Sequence, residues 1–180
     1  MTKKQRIILG VTGSIAAYRS ADIVRGFIEK GLRVSVVMTK SAENFITPLT
    51  LSSLSGEKVY TSMFDDSIDG KMIHINLAGE ADALLIAPAT ADIIGKLSNG
   101  LADDLLTCIA LGTKAPILLA PAMNTEMYQN KIVQDNCAKL KNYGMKFIDP
   151  VKGKLACGVT GEGHIADQQT IIKAVLAALK

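Results

Sequence analysis

Short apolar runs alternate with segments of helical periodicity along almost the whole chain. "RIILGV" (Arg6–Val11) and "RVSVVM" (Arg33–Met38) are the first two runs. Further apolar runs occupy residues 81–87, 116–120 and 145–148, and helical spacing marks residues 14–31, 91–100, 103–112, 130–144 and 170–179. Strands that are apolar on both faces and alternate with helices form parallel sheets with helices on both sides. The sequence therefore predicts one α/β domain over residues 1–180, of the Rossmann-like (flavodoxin-like) class.

Composition narrows the function classes. Hydrophobic residues make up 48% and charged residues 21% of the 180 residues, which is typical of a compact globular chain. The net charge of +3 is too small to indicate binding to nucleic acid, and no apolar run approaches the ~20 residues of a membrane helix. An odd number of cysteines, three, without a recognisable secretion signal favours reduced thiols in the cytoplasm. No spacing of ligating side chains indicates a metal site.

The turns after the predicted strands carry small and hydroxyl-bearing residues. Gly13 and Ser14 follow the first strand, Thr39 and Ser41 the second, and Thr90 the third. The first turn lacks the G-x-G-x-x-G fingerprint of dinucleotide folds, and the second has no acidic residue for a ribose. Hydroxyl groups at several helix starts favour a phosphate monoester and hence a flavin mononucleotide, FMN. Ordinary helix capping explains the same residues equally well.

Two polar side chains near predicted strands are candidates for chemistry. His74 lies upstream of the strand at 81–87, and histidine often acts as a general base near neutral pH, although a lone histidine more often packs or faces solvent. Asn124 follows the strand at 116–120 and lies between Met123 and Met127. Its amide either holds a substrate carboxylate in an apolar pocket or caps a helix that begins nearby.

Residues 149–168 form a Gly-rich segment that we expect to be a long loop and a substrate lid. Cys157 lies in it, where an exposed thiol is a liability unless it is used, whereas Cys108 and Cys137 fall on helical segments. Lys154 and His164 are either solvated or close on an anionic substrate.

Four segments together resemble the flavin-containing cysteine decarboxylases. They are "GSIAAYR", "HINLAGEADALLIAPATADIIGKLSNGLADDLLT", "APAMNTEMY" and "KLACGVTGEG". The resemblance extends from Ile7 to about Ile165, and its specific part is "PAMNxxM" followed about 30 residues later by "LACG". It is strongest to members that act on 4'-phosphopantothenoylcysteine in coenzyme A biosynthesis.

The resemblance implies a role for each matched residue. His74 matches the active-site histidine, Asn124 the asparagine that binds the substrate carboxylate, and Cys157 the cysteine that supplies a proton in the final reduction. The matched flavin-binding positions are Gly13, Ser14, Ile15, Thr39, Ser41, Thr90 and Ala122. The matched substrate-binding positions are Asn124, Met127, Lys154 and Ala156.

The same resemblance implies a reaction and an assembly. The expected reaction is FMN-dependent decarboxylation to 4'-phosphopantetheine through thiol oxidation, CO2 loss and re-reduction of an enethiol. The expected assembly is a homo-oligomer, either a trimer or a dodecamer built of trimers. Alternatives are a peptidyl-cysteine decarboxylase, a flavin prenyltransferase and a non-catalytic flavin-binding regulatory subunit. Three residues depart from the family pattern: Tyr128, Val159 and His164 stand where Trp, Asp and Arg are expected. These departures put the substrate contacts of the lid in question.

Overall fold

Six strands form one parallel sheet and two more form an antiparallel hairpin, in a computed structural model that describes residues 4–64, 72–154, 158 and 160–179. The strands are β1 (Arg6–Val11), β2 (Arg33–Met38), β3 (Val59–Tyr60), β4 (Ala83–Ala89), β5 (Ile117–Pro121), β6 (Lys146–Phe147), β7 (Val151–Lys154) and β8 (Thr160–His164). The sheet order is β3-β2-β1-β4-β5-β6, which is the Rossmann order with its reversal between β1 and β4. The predicted α/β class with a parallel sheet is confirmed.

The helices follow the strands as the alternating pattern predicts. They are α1 (Arg19–Glu29), α2 (Pro48–Ser55), α3 (Ile73–Glu80), α4 (Ala91–Ser98), α5 (Leu105–Gly112), α6 (Thr125–Gln129), α7 (Lys131–Asn142) and α8 (Gln168–Ala178). Within the described residues, none of these helices is long and apolar enough to cross a membrane.

Both faces of the sheet are buried, because successive side chains of a strand point to opposite faces. In β1, Ile7 packs into a core with α1, α2 and α8, whereas Ile8 packs into a second core with α3, α4, α5 and α7. In β4, Leu85 and Leu84 divide between the two cores in the same way. The apolar runs in the sequence are therefore continuous because helices cover the sheet on both sides.

The structure differs from the sequence-based expectation in two segments. Residues 73–80 form α3, whose helical spacing is obscured because Met72 and Ile75 are exposed while Leu77 is buried. The expectation of a long loop at 149–168 is wrong for its described part, since β7 and β8 pair there as an antiparallel hairpin. The glycines of this hairpin conceal it, because they leave no alternation of apolar and polar side chains.

Candidate active site

A cavity of about 500 Å³ lies at the carboxyl edge of the sheet, where the turns after β1, β2, β4 and β5 converge. In open α/β sheets this edge, near the reversal of strand order, is where ligands bind. The wall contains these predicted flavin-binding residues: Gly13, Ser14, Thr39, Ser41, Thr90 and Ala122. The remaining one, Ile15, follows Ser14 directly and is 57% exposed. Parallel strands thus bring together residues that are far apart in the sequence.

Thr12 links the end of β1 to the end of β4, the two strands between which the strand order reverses. Its buried hydroxyl donates to the carbonyl oxygen of Pro88 at 2.7 Å and accepts from the backbone N–H of Thr90 at 3.2 Å. The same hydroxyl lies 3.3 Å from the Thr90 hydroxyl, which caps α4. This floor of the cavity is therefore fixed by hydrogen bonds within the protein.

Helix capping explains only part of the hydroxyl pattern. Ser14 accepts from Ala16 N–H at 3.3 Å and Thr90 accepts from Ile93 N–H at 3.4 Å, as caps do. Thr39 differs, because its hydroxyl oxygen is buried and has no hydrogen-bond partner among the described residues. A buried hydroxyl without a partner is costly, so its place in the cavity wall indicates that a bound group completes it.

Two turns of the cavity wall approach each other closely at Gly13. A Cβ at Gly13 would overlap with the Cβ of Ser41 and lie 3.2 Å from the Ser41 carbonyl carbon. The turns after β1 and β2 therefore pack backbone against backbone at the cavity wall. The volume falls within the range of roughly 300–1,000 Å³ typical of small-molecule sites, and the residues present fit a flavin mononucleotide.

A charged cluster forms another part of the wall. Lys96 Nζ lies 3.0 Å from Asp103, 3.6 Å from Asp92 and 3.7 Å from Asp104, so three carboxylates share one ammonium. The hydrogen bond to Asp103 raises the pKa of Lys96 and lowers that of the Asp103 carboxyl. Asp104 also caps α5 through a capping box with Thr107. The cluster thus joins α4 to the start of α5.

Asn124 is exposed and is not itself among the described residues that line the cavity, but it lies in the chain between the wall residues Met123 and Met127, which we call the mouth of the cavity. Asn124 is the N-cap of α6, and its Oδ1 accepts from Glu126 N–H at 2.8 Å. A substrate carboxylate would need the Nδ2 donors of the amide, so capping and carboxylate binding use different atoms. The two alternatives from the sequence are therefore compatible.

The hairpin of β7 and β8 packs beside Asn124. Met123 N–H donates to the Gly163 carbonyl oxygen at 3.1 Å, which joins β8 to the turn that follows β5. His164 lies at the end of β8, where its Nδ1 is 2.9 Å from the Ile165 carbonyl oxygen. The predicted site residues Cys157 and Ala156, the departure Val159 and the side chain of Lys154 lie outside the described part of the chain.

The two described cysteines are not candidates for chemistry. Cys137 is buried in α7, and Cys108 is half-buried in α5 with its Sγ 3.5 Å from the Met63 sulfur. Burial raises the pKa of both thiols, which keeps them protonated.

His74 is a further predicted site residue outside the described cavity wall. It is the second residue of α3, is half-buried, and is not among the described residues that line the wall. The carboxyl ends of α3 and α5 meet where Thr113 Oγ1 donates to the Ala78 carbonyl oxygen at 2.9 Å. His74 thus lies near the start of α3, which packs against α5.

Several wall residues were not predicted from the sequence: Thr12, Ala91, Asp92, Lys96 and Asp104. Thr12 has the strongest local signal, because it is the first residue after β1. Lys96 and Asp104 have none, since they reach the cavity through the packing of α4 and α5.

Comparisons with known proteins identify the family of the chain. The model of the family described as Flavoprotein matches residues 1–180. The probable phosphopantothenoylcysteine decarboxylase of Streptococcus mutans is 45% identical over 177 residues, covering 97% of this chain and 98% of that protein.

Solved structures agree over almost the whole length as well. A cysteine-to-serine mutant of PPC decarboxylase complexed with pantothenoylaminoethenethiol has a TM-score of 0.88 and 34% identity, covering 97% of this chain and 98% of that one. The FMN binding protein AtHal3 has a TM-score of 0.85 and 35% identity, covering 97% and 96%.

Other relatives are longer than this chain. The chain spans 42% of the length of the coenzyme A biosynthesis bifunctional protein of Vibrio parahaemolyticus, to which it is 45% identical over 168 residues. The match over every residue and the relatives covered almost end to end lead to one conclusion: this chain belongs to the Flavoprotein family.

Proposed function

We propose that this chain, with FMN as its cofactor, decarboxylates 4'-phosphopantothenoylcysteine to 4'-phosphopantetheine. The observation that carries the proposal is that one cavity contains the Thr39 hydroxyl, which has no hydrogen-bond partner among the described residues, and the two methionines that flank Asn124 in the chain. The resemblance to proteins named for this decarboxylation specifies the substrate. A single phosphate suits the hydroxyl-bearing turns, and an adenine-bearing cofactor would demand an acidic ribose contact that the turn after β2 lacks.

The chemistry requires a way to hold charge after CO2 leaves. When bound, FMN supplies two-electron oxidation of the substrate thiol to a thioaldehyde and later reduction of the enethiol, so no external redox partner is needed. The thioaldehyde then accepts the electron pair of the breaking carbon–carboxylate bond. The task of the protein is to orient that carboxylate, exclude water and move protons.

Each candidate residue has one of these tasks. The Nδ2 group of Asn124 orients the carboxylate, while Met123 and Met127 supply an apolar wall that keeps water out. His74 acts as the general base, and Cys157 delivers the proton that completes the reduction. Lys154 and Ala156 contact the substrate.

The position of His74 favours a homo-oligomer, which we propose to be a trimer or a dodecamer of trimers. Near His74, Met72 and Ile75 are 64% and 61% exposed, and Leu111 on the neighbouring α5 is 47% exposed. An apolar face of this kind is typical of a surface covered by another subunit. Contact between this face and the cavity of a second copy would bring His74 to the substrate.

Assay of the purified protein tests the function directly. We expect a yellow protein that releases FMN and not FAD on denaturation, and that converts the substrate to 4'-phosphopantetheine without added oxidant or reductant. A protein that binds FMN but forms no product would be a flavin-binding regulatory subunit. Release of the enethiol as the final product would indicate the chemistry of a peptidyl-cysteine decarboxylase.

The Cys157→Ser variant separates the last step from the first two. A serine hydroxyl is far less acidic than a thiol, so the proton transfer slows while CO2 release continues. We expect persistent bleaching of the flavin and a product two hydrogens lighter than the normal thiol. Normal product at the wild-type rate would remove Cys157 from the mechanism.

Two further expectations complete the proposal. Residues 1–180 act as one catalytic domain, with the hairpin segment as the substrate lid. The cytoplasm is the expected location, since reduced thiols suit the three cysteines.

A further inference from the structure

Strand β8 lies directly against the turn that presents Asn124. Besides the 3.1 Å hydrogen bond from Met123 N–H to the Gly163 carbonyl oxygen, there is a close approach in the other direction. A Cβ at Gly163 would overlap with the Met123 carbonyl oxygen and lie 3.6 Å from the Asn124 carbonyl carbon. Gly163 also has a φ of 136°, which favours glycine.

A second glycine makes the same kind of contact on the other side of Asn124. A Cβ at Gly161 would overlap with Thr125 Oγ1 and lie 3.1 Å from Thr125 Cβ and 3.2 Å from Cγ2. The Thr125 hydroxyl oxygen is buried and has no hydrogen-bond partner among the described residues. The Thr125 side chain therefore acts here through its shape.

The turn depends on this support because α6 has little packing of its own. The helix has five residues, none of which is buried, and isolated helices of this length are not stable. β8 contacts α6, and α7 follows α6 directly. Residues on both sides of Asn124 are thus held by the backbone of β8.

We propose that Gly161 and Gly163 are positioning residues that fix the Met123–Thr125 turn, and with it the Asn124 amide, at the cavity mouth. The substrate role of Asn124 in this inference rests on the proposed function. The absence of a Cβ at both glycines lets β8 approach the turn closely enough to set its position. A displacement of about 1 Å in a substrate-orienting group can cost about 100-fold in rate.

A set of alanine variants tests the inference. Gly163→Ala meets backbone atoms, so we expect kcat/KM to fall by about 100-fold, with a raised KM and retained FMN binding. Gly161→Ala meets a side chain, so we expect a smaller loss of about 10-fold, because the threonine can shift in part. Thr125→Ala alone is expected to lower kcat/KM by less than Gly161→Ala does, because it removes a side-chain contact without forcing β8 and the turn apart.

Rescue distinguishes positioning from general destabilisation. The double variant Gly161→Ala/Thr125→Ala removes the overlapping hydroxyl and methyl, so we expect most of the lost activity to return. Thr125→Ala cannot rescue Gly163→Ala, because the obstacle there is the Met123 carbonyl oxygen. Gly153→Ala is the matched control, since it adds the same methyl to the hairpin but meets only the His164 side chain, at 3.3 Å. Absence of rescue, or an equal loss from Gly153→Ala, would overturn the inference.

Hydrogen exchange at the Met123 amide gives a measurement that needs no substrate. We expect faster exchange in Gly163→Ala than in wild type and no change in Gly153→Ala, because only the former disturbs the bond to the Gly163 carbonyl. If the wild-type protein had no decarboxylase activity and Gly163→Ala still showed faster exchange, the proposed function would be refuted. The contact between β8 and the turn would still be supported. Unchanged exchange together with unchanged kcat/KM in Gly163→Ala would refute the positioning role.

Discussion

The two sides of the cavity are built in different ways. The side that we propose holds the flavin consists of turns that leave the buried central strands directly. Hydrogen bonds such as that from Thr12 to the Pro88 carbonyl oxygen, at 2.7 Å, join those turns. The substrate side consists of α6, which buries none of its residues, and of a hairpin that packs against it. The floor of the cavity is held in place by the buried strands of the sheet. The mouth of the cavity is held in place by contacts between α6 and the hairpin, both of which lie at the periphery.

This difference separates two kinds of functional defect. Substitutions at the floor are expected to weaken the cofactor site, because no other element can replace the turns after β1 and β2. Substitutions at the mouth are expected to lower turnover while the flavin stays bound. The expected effects on the floor and the mouth of the cavity range from a large loss of turnover to a small change in melting temperature.

Replacement of His74 by Asn is expected to lower decarboxylation by roughly 10²–10⁴-fold, the usual cost of losing a general base. FMN binding should not change, because His74 is not part of the described cavity wall. Steady-state kinetics and flavin absorbance measure the two properties on one sample. Activity within a few-fold of wild type would assign the base elsewhere.

A hybrid experiment sharpens the same prediction. If His74 of one copy serves the cavity of another, mixing inactive His74→Asn and Asn124→Asp chains should form some sites with neither defect and restore part of the activity. Mixed chains that exchange subunits and stay inactive would place His74 and Asn124 of one site on the same copy.

Replacement of Asn124 by Asp is expected to lower turnover by about 100-fold. Two like charges about 4 Å apart at an effective dielectric of about 20 repel by about 4 kcal/mol, and solvent at this exposed position reduces that figure. Asp is as good an N-cap as Asn, so α6 should still form. Asn124→Ser, a cap without the charge or the amide, is the control for the helix. Near-normal turnover of the Asp variant would leave Asn124 as a helix cap only.

Replacement of Gly13 by Ala is expected to weaken FMN binding by about tenfold, because overpacking between backbone segments typically costs about 1–3 kcal/mol. The added methyl would force the turns after β1 and β2 apart at Ser41. Gly79→Ala is the control, since a Cβ there meets nothing within 4 Å. Titration with FMN measures the effect, and equal affinities for the two variants would contradict the assignment of the floor.

Replacement of Thr39 by Val should lower the affinity for FMN without lowering the melting temperature of the cofactor-free protein. Without cofactor, removing a buried hydroxyl that has no partner in the described part of the chain relieves a desolvation cost, so the melting temperature should stay level or rise. With cofactor, the lost hydrogen bond should lower FMN affinity by about 1 kcal/mol, or about fivefold. A fall in both, or a fall in neither, would show that the hydroxyl is not a cofactor contact.

The smallest effect concerns the charged cluster and its pH range. The pKa of Asp103 is held below its ordinary value of 3.8, so its contribution to stability is present above that pH and is lost as the pH falls through the lowered pKa. The raised pKa of Lys96 has the opposite sense, so its contribution is lost only as the pH rises beyond 10.5. Lys96→Met should therefore lower the melting temperature by the same small amount at pH 5 and pH 9, and by less near pH 3. A difference that varies between pH 5 and pH 9 would contradict this account.

The local pattern of the chain determined the sheet and the floor of the site. Apolar runs without alternation indicate strands buried on both faces, and each run ends beside a turn with distinctive residues, such as Gly13 or Thr39. Because parallel strands place their carboxyl ends at one edge, the convergence of these turns follows from the sequence pattern once the strands are recognised.

Only the tertiary structure decided how the mouth is built. The segment "TGEGH" of β8 has no apolar face, and its position follows from backbone contact with Met123 and from the missing side chains of Gly161 and Gly163. His74 likewise matches a site residue by motif, yet the packing of α3 on α5 places it outside the described wall of its own cavity. Such contacts are made by backbone atoms of residues that are far apart in the chain, and they depend on the absence of side chains at glycines. Contacts of this kind leave no periodic signal in the sequence.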